Sequence, residues 1–153
     1  METVTQRAKL LVRCRSWLCA LPLSDIVETL RLLPLRPVAG VPGFVRGLVL
    51  LRGELVPVVE LGALLGALAD EPGRRLVVVR VGERRLALAV DEVLRVLTLE
   101  PELQAEVAPL LSQALPGQVA SLGTLDGAAL AVLSSVSLLT EETWALLGPQ
   151  LGL

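Results

Sequence analysis

The stretch that decides the fold is Val41–Leu61, which reads VPGFVRGLVLLRGELVPVVEL. Two runs of aliphatic residues flank the dipeptide Arg52-Gly53, and this pattern predicts two buried strands joined by a tight turn. Gly53 supplies the positive φ that such a turn needs. Pro57 cannot donate to a β-ladder, so it indicates either an edge position or a bulge for the second strand.

Charged side chains are embedded in this apolar stretch, among them Arg46, Arg52 and Glu54. Charged residues are almost never fully buried unless they are paired. We therefore expect Arg52 either to form an intramolecular salt bridge, with Glu54, Glu60 or Asp91 as candidates, or to extend its guanidinium toward a partner. For Asp91, which directly follows an apolar strand, the favoured interpretation is a turn residue whose side chain bonds nearby backbone amides.

The rest of the chain predicts short strands at even spacing with few helical turns. That pattern is typical of an all-β fold with minor helices, and it lacks the alternation of a doubly wound sheet. The first half predicts a strand–turn–strand over 8–21 with its tip at Arg15-Ser16, a strand or helical turn over 26–30, a loop over 32–41, strands at 45–51 and 54–61, and a short helix over 61–69. The second half predicts a hairpin of 75–81 and 85–90 turning at Gly82-Glu83, a strand over 93–99 with Arg95 pointing outward, a loop with one helical stretch over 103–111, and a hairpin of 119–125 and 129–133 turning at Asp126-Gly127. A terminal helix is predicted over 136–147, ended by Gly148-Pro149, and Thr140 within it could cap a shorter helix.

Composition excludes several classes of protein. The net charge is −2, the arginines are scattered and aromatic residues make up 2% of the chain, so nucleic-acid binding is not expected. No apolar stretch reaches the roughly 18 residues of a membrane-spanning helix, and the first residues lack a signal-peptide pattern. We therefore expect a cytoplasmic protein without direct membrane insertion.

The two cysteines, Cys14 and Cys19, fit that compartment. Five residues apart along a strand they would point to opposite faces, which disfavours a disulfide. We expect both thiols to behave as small buried hydrophobic groups.

Catalysis finds little support. The chain has no histidine and only two cysteines, which removes the commonest general base and any structural zinc site. No phosphate-binding or dinucleotide-binding glycine motif is present, so no cofactor or metal is expected. Glu54 and Glu60 have even spacing on one strand and could act as an acid–base pair, but the simpler expectation is an exposed face or a salt bridge to Arg46 or Arg52.

Several segments, in order and at matching separations, resemble the CheW-like domain family. The segments are Cys19–Glu28, the residues Val41-Pro42, Phe44 and Gly47, then Gly47–Gly53, Val56–Leu61, and Ala89–Val93 with Val96-Leu97. The resemblance covers about 8–147 and implies one CheW-like domain made of two packed five-stranded SH3-like β-barrels that share a core. Residues 1–7 and 148–153 are then expected to be flexible termini.

The function that this resemblance implies is a non-catalytic adaptor. It would couple the cytoplasmic tips of chemoreceptors to the regulatory domain of a CheA-type histidine kinase, and so be recruited to membrane receptor arrays. The kinase would dock on the first barrel and the receptor tip in the groove between the barrels. Mapped by motif, the expected partner-binding residues are Arg52, Glu28, Leu50, Leu51, Val56 and Val58, and the expected structural residues at turns are Gly53, Pro57 and Gly47.

The chain departs from the family pattern at four positions. Leu50 replaces an asparagine, Glu60 an aspartate, Cys19 a tyrosine and Ser134 a frequent acidic residue, so partner choice is open, including an output such as surface motility. Two alternatives from other classes remain: a small-molecule-binding β-barrel with its ligand between the lobes, and a minimal enzyme that uses Glu54 and Glu60. The scarcity of aromatic residues disfavours the first, and the absence of histidine disfavours the second.

Overall fold

Valine, leucine and alanine dominate the strand-forming segments, and in the computed structural model they pair into sheets. The structure describes residues 8–15, 17–67, 71–98, 105–106 and 119–151. The strands there are β1 Ala8–Cys14, β2 Trp17–Pro22, β3 Ile26–Arg31, β4 Val45–Leu51, β5 Glu54–Glu60, β6 Arg75–Val81, β7 Arg84–Val90, β8 Glu92–Thr98, β9 Ala105–Glu106, β10 Val119–Leu125 and β11 Ala128–Leu133. The helices are α1 Leu61–Leu64 and α2 Glu141–Leu151, and 3₁₀ turns cover Leu23–Asp25 and Ser135–Ser137.

The strands form two sheets with a corresponding order of paired strands. Lobe one is the five-stranded sheet with the order β3-β6-β7-β5-β4, and lobe two has the order β8-β1-β2-β11-β10-β9. In each lobe one pair is parallel, β5 with β7 and β11 with β2, and the other neighbours are antiparallel. The all-β fold with minor helices is confirmed, and lobe two adds a sixth, two-residue strand to the expected five. Closure of each sheet into an SH3-like barrel stays a prediction.

One hydrophobic core joins the two lobes. Val12 and Leu21 of lobe two lie in the same buried cluster as Val59 and Leu88 of lobe one. The opposite faces of the sheets bury two further clusters, one inside each lobe. Because successive side chains of a strand point to opposite faces, strands that are covered on both sides read as continuous apolar runs.

The tight turns adopt the predicted geometry. Arg52 and Gly53 have φ values of 50° and 82°, and Asp126 and Gly127 have φ values of 52° and 79°. Positive φ at both central residues is the signature of a type I′ hairpin turn. The positive φ predicted for Gly53 is thereby confirmed.

Of the two positions expected for the strand of Pro57, the edge position is wrong, because β5 lies between β7 and β4. The pairing of β5 with β4 does contain a register shift, between Val45 and Gly47 of β4. Pro57 is tolerated in this interior strand because of the direction in which its backbone nitrogen points. Its partner Leu48 exchanges both backbone hydrogen bonds with Arg36 on the far side of β4, so the nitrogen of Pro57 faces away from β4. The parallel ladder with β7 begins only at Val58, one residue later.

The expectation for the cysteines is only half right. Cys14 and Cys19 are free and buried, but they lie in the same core cluster and not on opposite faces. They sit on the two strands of one hairpin, where Cys14 pairs with Trp17 and Cys19 with Val12. The reversal of the chain between them brings the side chains to the same face. A hydrogen bond to Cys19, together with burial, raises the pKa of the Cys14 thiol.

The helical predictions differ at their ends. Helix α2 begins at Glu141 and not at 136, and the side chain of Thr140 caps it by accepting a hydrogen bond from the Thr143 amide at 3.1 Å. It continues through Gly148-Pro149 to Leu151. Most of the helical stretch expected over 103–111 lies outside the described residues, and residues 105–106 form strand β9. Within the part of the chain that the structure describes, neither helix is long and apolar enough to cross a membrane.

We expect Gly47→Ala to lower the free energy of unfolding by about 2 kcal/mol. Gly47 has a φ of 149°, and a Cβ there would collide with the backbone oxygen of Arg36. Gly40→Ala is the matched control, because Gly40 also has a positive φ but no other atom lies within 4 Å of the place that a Cβ would take. It should cost about 1 kcal/mol. Urea unfolding of both variants measures the difference, and equal losses would contradict the collision.

Candidate partner-binding site

The candidate site lies at the turn between β4 and β5, the tip of lobe one. The Arg52 guanidinium makes a two-pronged contact with Glu28 of β3, with Nε–Oε2 at 3.0 Å and an Nη–Oε1 distance of 3.4 Å. Glu28 follows a register shift in the pairing of β3 with β6. The salt bridge that we expected for Arg52 therefore forms, but with Glu28 and not with Glu54, Glu60 or Asp91.

The pair orients the Arg52 guanidinium without burying it. The Arg52 side chain is 70% exposed and that of Glu28 is 23% exposed. The hydrogen bond from Arg52 to Glu28, together with the negative charge of Glu28, raises the pKa of Arg52. An ion pair this exposed contributes little to stability. The guanidinium N–H groups not engaged by Glu28 face solvent and can donate to a carboxylate or a carbonyl of another protein.

Leu50 gives this tip an apolar surface, since it is 50% exposed on β4 two residues before Arg52. Leu51, Val56 and Val58 are different: their exposed fractions are 7%, 1% and 0%, and they pack inside lobe one. These three side chains therefore offer little or no surface for direct contact in this conformation, and their role in partner binding stays a prediction. They support the shape of the lobe beneath Arg52, Glu28 and Leu50.

Lobe two carries an ion pair at the equivalent place with its charges exchanged. Arg95 of β8 follows a register shift, as Glu28 does in β3, and its guanidinium lies 3.5 Å from the carboxylate of Asp126. Asp126 is the first residue of the β10–β11 turn, the position that Arg52 holds in the β4–β5 turn. In lobe one the basic residue lies on the turn and the acidic residue on the strand, and in lobe two these positions are exchanged.

A second charged cluster, which the sequence reasoning largely missed, lies between the lobes. Glu60 is buried, and its carboxylate lies 3.2 Å from the Arg15 guanidinium and 3.6 Å from that of Arg46. The pairing with Arg46 was one of the expected alternatives. The pairing with Arg15 had no signal in the sequence, because the two residues are 45 positions apart and belong to different lobes.

Asp91 takes part in the same region. Its Oδ2 accepts a hydrogen bond from the Arg15 amide at 2.6 Å. Asp91 therefore binds a backbone amide, as expected, but the amide belongs to the β1–β2 tip and not to its own turn.

The arrangement disfavours the two alternative classes of function. Glu60 is enclosed by arginines, whereas Glu54 is exposed at the turn with the Arg85 guanidinium at 3.8 Å, so the two carboxylates do not share a site. Apolar side chains of the shared core fill the interface where a ligand between the lobes would bind. A polar cleft of about 290 Å³ is lined by Glu71, Pro72, Gly73, Arg74 and Asp91. Among the described residues no three or more metal-ligating side chains come together.

We expect Glu60→Gln to lower the free energy of unfolding by about 3 kcal/mol, because it leaves two largely buried arginines without their carboxylate. Glu54→Gln, on the same strand but exposed, is the matched control and should stay within about 0.5 kcal/mol of the parent chain. Urea unfolding followed by tryptophan fluorescence measures both values. Equal stability of the two variants would show that the buried charge of Glu60 is dispensable.

Comparison with known proteins agrees with this architecture. The CheW-like domain family model matches residues 9–143. The chemotaxis protein CheW of Rhizobium meliloti (strain 1021) is 38% identical over 68 residues, which make up 43% of this chain and 44% of that protein. The crystal structure of the scaffolding protein TtCheW from Thermoanaerobacter tengcongensis superposes with a TM-score of 0.76 over 90% of each chain, at 18% identity, and so shares the fold. The chain belongs to the CheW-like domain family.

Proposed function

We propose that this protein is a non-catalytic adaptor that couples chemoreceptors to a CheA-type histidine kinase. Family membership over residues 9–143 supports an adaptor in chemotaxis. The proposal goes further by naming two partners, the regulatory domain of the kinase and the cytoplasmic tip of the receptor. In this role the protein works in the cytoplasm at receptor arrays.

The observation that carries the proposal is the state of Arg52. Its guanidinium is held in one orientation by Glu28 and yet remains 70% exposed. A charge that is pre-oriented before binding loses less side-chain freedom when a partner arrives. With the exposed Leu50 beside it, the tip of lobe one combines an apolar centre with charges at its rim, which is the usual anatomy of a protein interface.

The four departures from the family pattern fall into two groups according to the burial of their side chains. Glu60 and Cys19 are buried and Ser134 is half-buried after β11, so these three act on packing. Leu50 is the departure that reaches the surface of the tip. Replacement of an amide by an isobutyl group at this place favours a partner with an apolar side chain opposite Leu50. We infer that Leu50 adapts this adaptor to its own kinase.

Calorimetric titration with the regulatory domain of a CheA-type kinase encoded near this protein tests the proposal. The parent chain should bind at micromolar affinity or tighter, about −8 kcal/mol. Arg52→Ala should weaken binding at least about tenfold, since arginine is one of the residue types that most often form interface hot spots. Leu50→Ser should weaken binding by about fivefold or more, because it removes apolar contact area.

Arg13→Ala is the control, because Arg13 is also an exposed arginine in a surface ion pair, with Glu92, but lies on lobe two. It should leave the affinity unchanged. Binding that is unaffected by Arg52→Ala would contradict the assigned role of the tip while keeping the adaptor. No binding by a folded chain, to either the kinase domain or a receptor tip peptide, would overturn the proposal.

A further inference from the structure

We propose that Arg15 is a positioning residue that fixes the angle between the two lobes. Arg15 lies at the β1–β2 tip of lobe two, and its side chain reaches into lobe one. Its effect on partner binding rests on the proposed function, whereas its effect on lobe geometry does not. The contacts described next carry the inference.

Arg15 is held at both its backbone and its side chain. Its amide donates to Asp91, and its guanidinium contacts Glu60 Oε1 at 3.2 Å and donates to the Ala67 carbonyl at 3.3 Å. The side chain is 10% exposed, and the backbone of Arg15 has a φ of 60°. Charged hydrogen bonds are directional, and apolar packing is not. The shared core therefore holds the lobes together, and Arg15 selects one orientation.

The remaining contacts of Glu60 lie within lobe one. Its carboxylate accepts a hydrogen bond from the Gly73 amide and lies near Arg46, which itself donates to the Gly73 carbonyl at 2.8 Å. Loss of the Arg15 side chain would therefore leave the Glu60 carboxylate paired inside its own lobe. This separates Arg15, which crosses between lobes, from Arg46, which does not.

Gly62 of α1 provides the passage for Arg15. A Cβ at Gly62 would lie 2.9 Å from Arg15 Nε and 3.2 Å from its Cδ. The backbone of Gly62 is not in the left-handed region, so alanine fits its conformation and would favour the helix. The Arg15 side chain that passes over position 62 thus explains why a glycine, which has no side chain, stands there. Gly62→Ala can displace Arg15 while it keeps every charge of the cluster.

The test measures the distance between the lobes directly. Glu83→Cys on lobe one and Thr124→Cys on lobe two, both exposed, carry spin labels for pulsed dipolar spectroscopy, while Cys14 and Cys19 are buried and stay unlabelled. The parent chain should give one narrow distribution. Arg15→Ala should at least double its width, or shift its centre, in a chain that still unfolds cooperatively.

Three further variants separate positioning from general damage. Gly62→Ala should reproduce the change of Arg15→Ala in the parent background and add nothing to it in the double variant, because the two act on the same contact. Arg46→Ala should lower stability and leave the distance unchanged. Should Arg15→Ala fail to fold, Gly62→Ala alone carries the test. An unchanged distance distribution in folded Arg15→Ala or Gly62→Ala overturns the proposal.

Binding then links the angle to the adaptor role. A receptor tip that contacts both lobes should lose at least about fivefold in affinity with Arg15→Ala, whereas the kinase domain docked on lobe one should lose less than about twofold. A changed distance with equal losses for both partners would support the positioning role and contradict the placement of the receptor between the lobes. The spectroscopic result does not depend on any partner.

Discussion

The architecture depends on one constraint: the inner strands β2, β5, β6 and β7 bury consecutive residues on both faces, so each sheet must be covered twice. One cover is the interior of the lobe and the other is the opposite lobe. In β6, Leu76 and Val78 pack inside lobe one, while Val77 and Val79 enter the shared cluster. A single lobe would leave one of these faces exposed to water. The two lobes therefore stabilise one another.

The charged pairs differ in burial, and buried and exposed pairs have different effects on the molecule. Glu60 and its two arginines lie where water is largely excluded, so their pairing is demanding in geometry and specifies how the lobes meet. Arg52 and Glu28 lie at the surface, where the same kind of pair contributes little to stability but orients a donor toward solvent. The buried pairs organise the scaffold, and the exposed pair presents a contact.

The sequence predicts what local chemistry determines. The strands at both sides of Arg52-Gly53 and Asp126-Gly127, the turns themselves and the all-β class follow from β-propensity and from residues that accept positive φ. The family motifs also point to Arg52 and Glu28, which the structure brings together, although contact with a partner stays a prediction. What fails is what depends on distant pairing. Glu28 is 24 residues from Arg52, and no periodicity in the chain predicts their contact.

The other misses have the same origin. The same-face placement of Cys14 and Cys19 depends on the turn between them, and the interior position of β5 depends on a parallel pairing with β7 that closes only in three dimensions. Tertiary context decided both of these. The burial of Leu51, Val56 and Val58, in contrast, agrees with the continuous apolar runs to which they belong.

The exchange of charges between the two tips has one more consequence. The two sheets share one pattern of strand pairing, and each carries an ion pair at the corresponding hairpin turn. With arginine on the turn of lobe one and aspartate on the turn of lobe two, the same approach meets the basic and the acidic member of the pair in opposite positions. A surface whose charges complement the first pair therefore faces like charges at the second. The two tips are not electrostatically interchangeable.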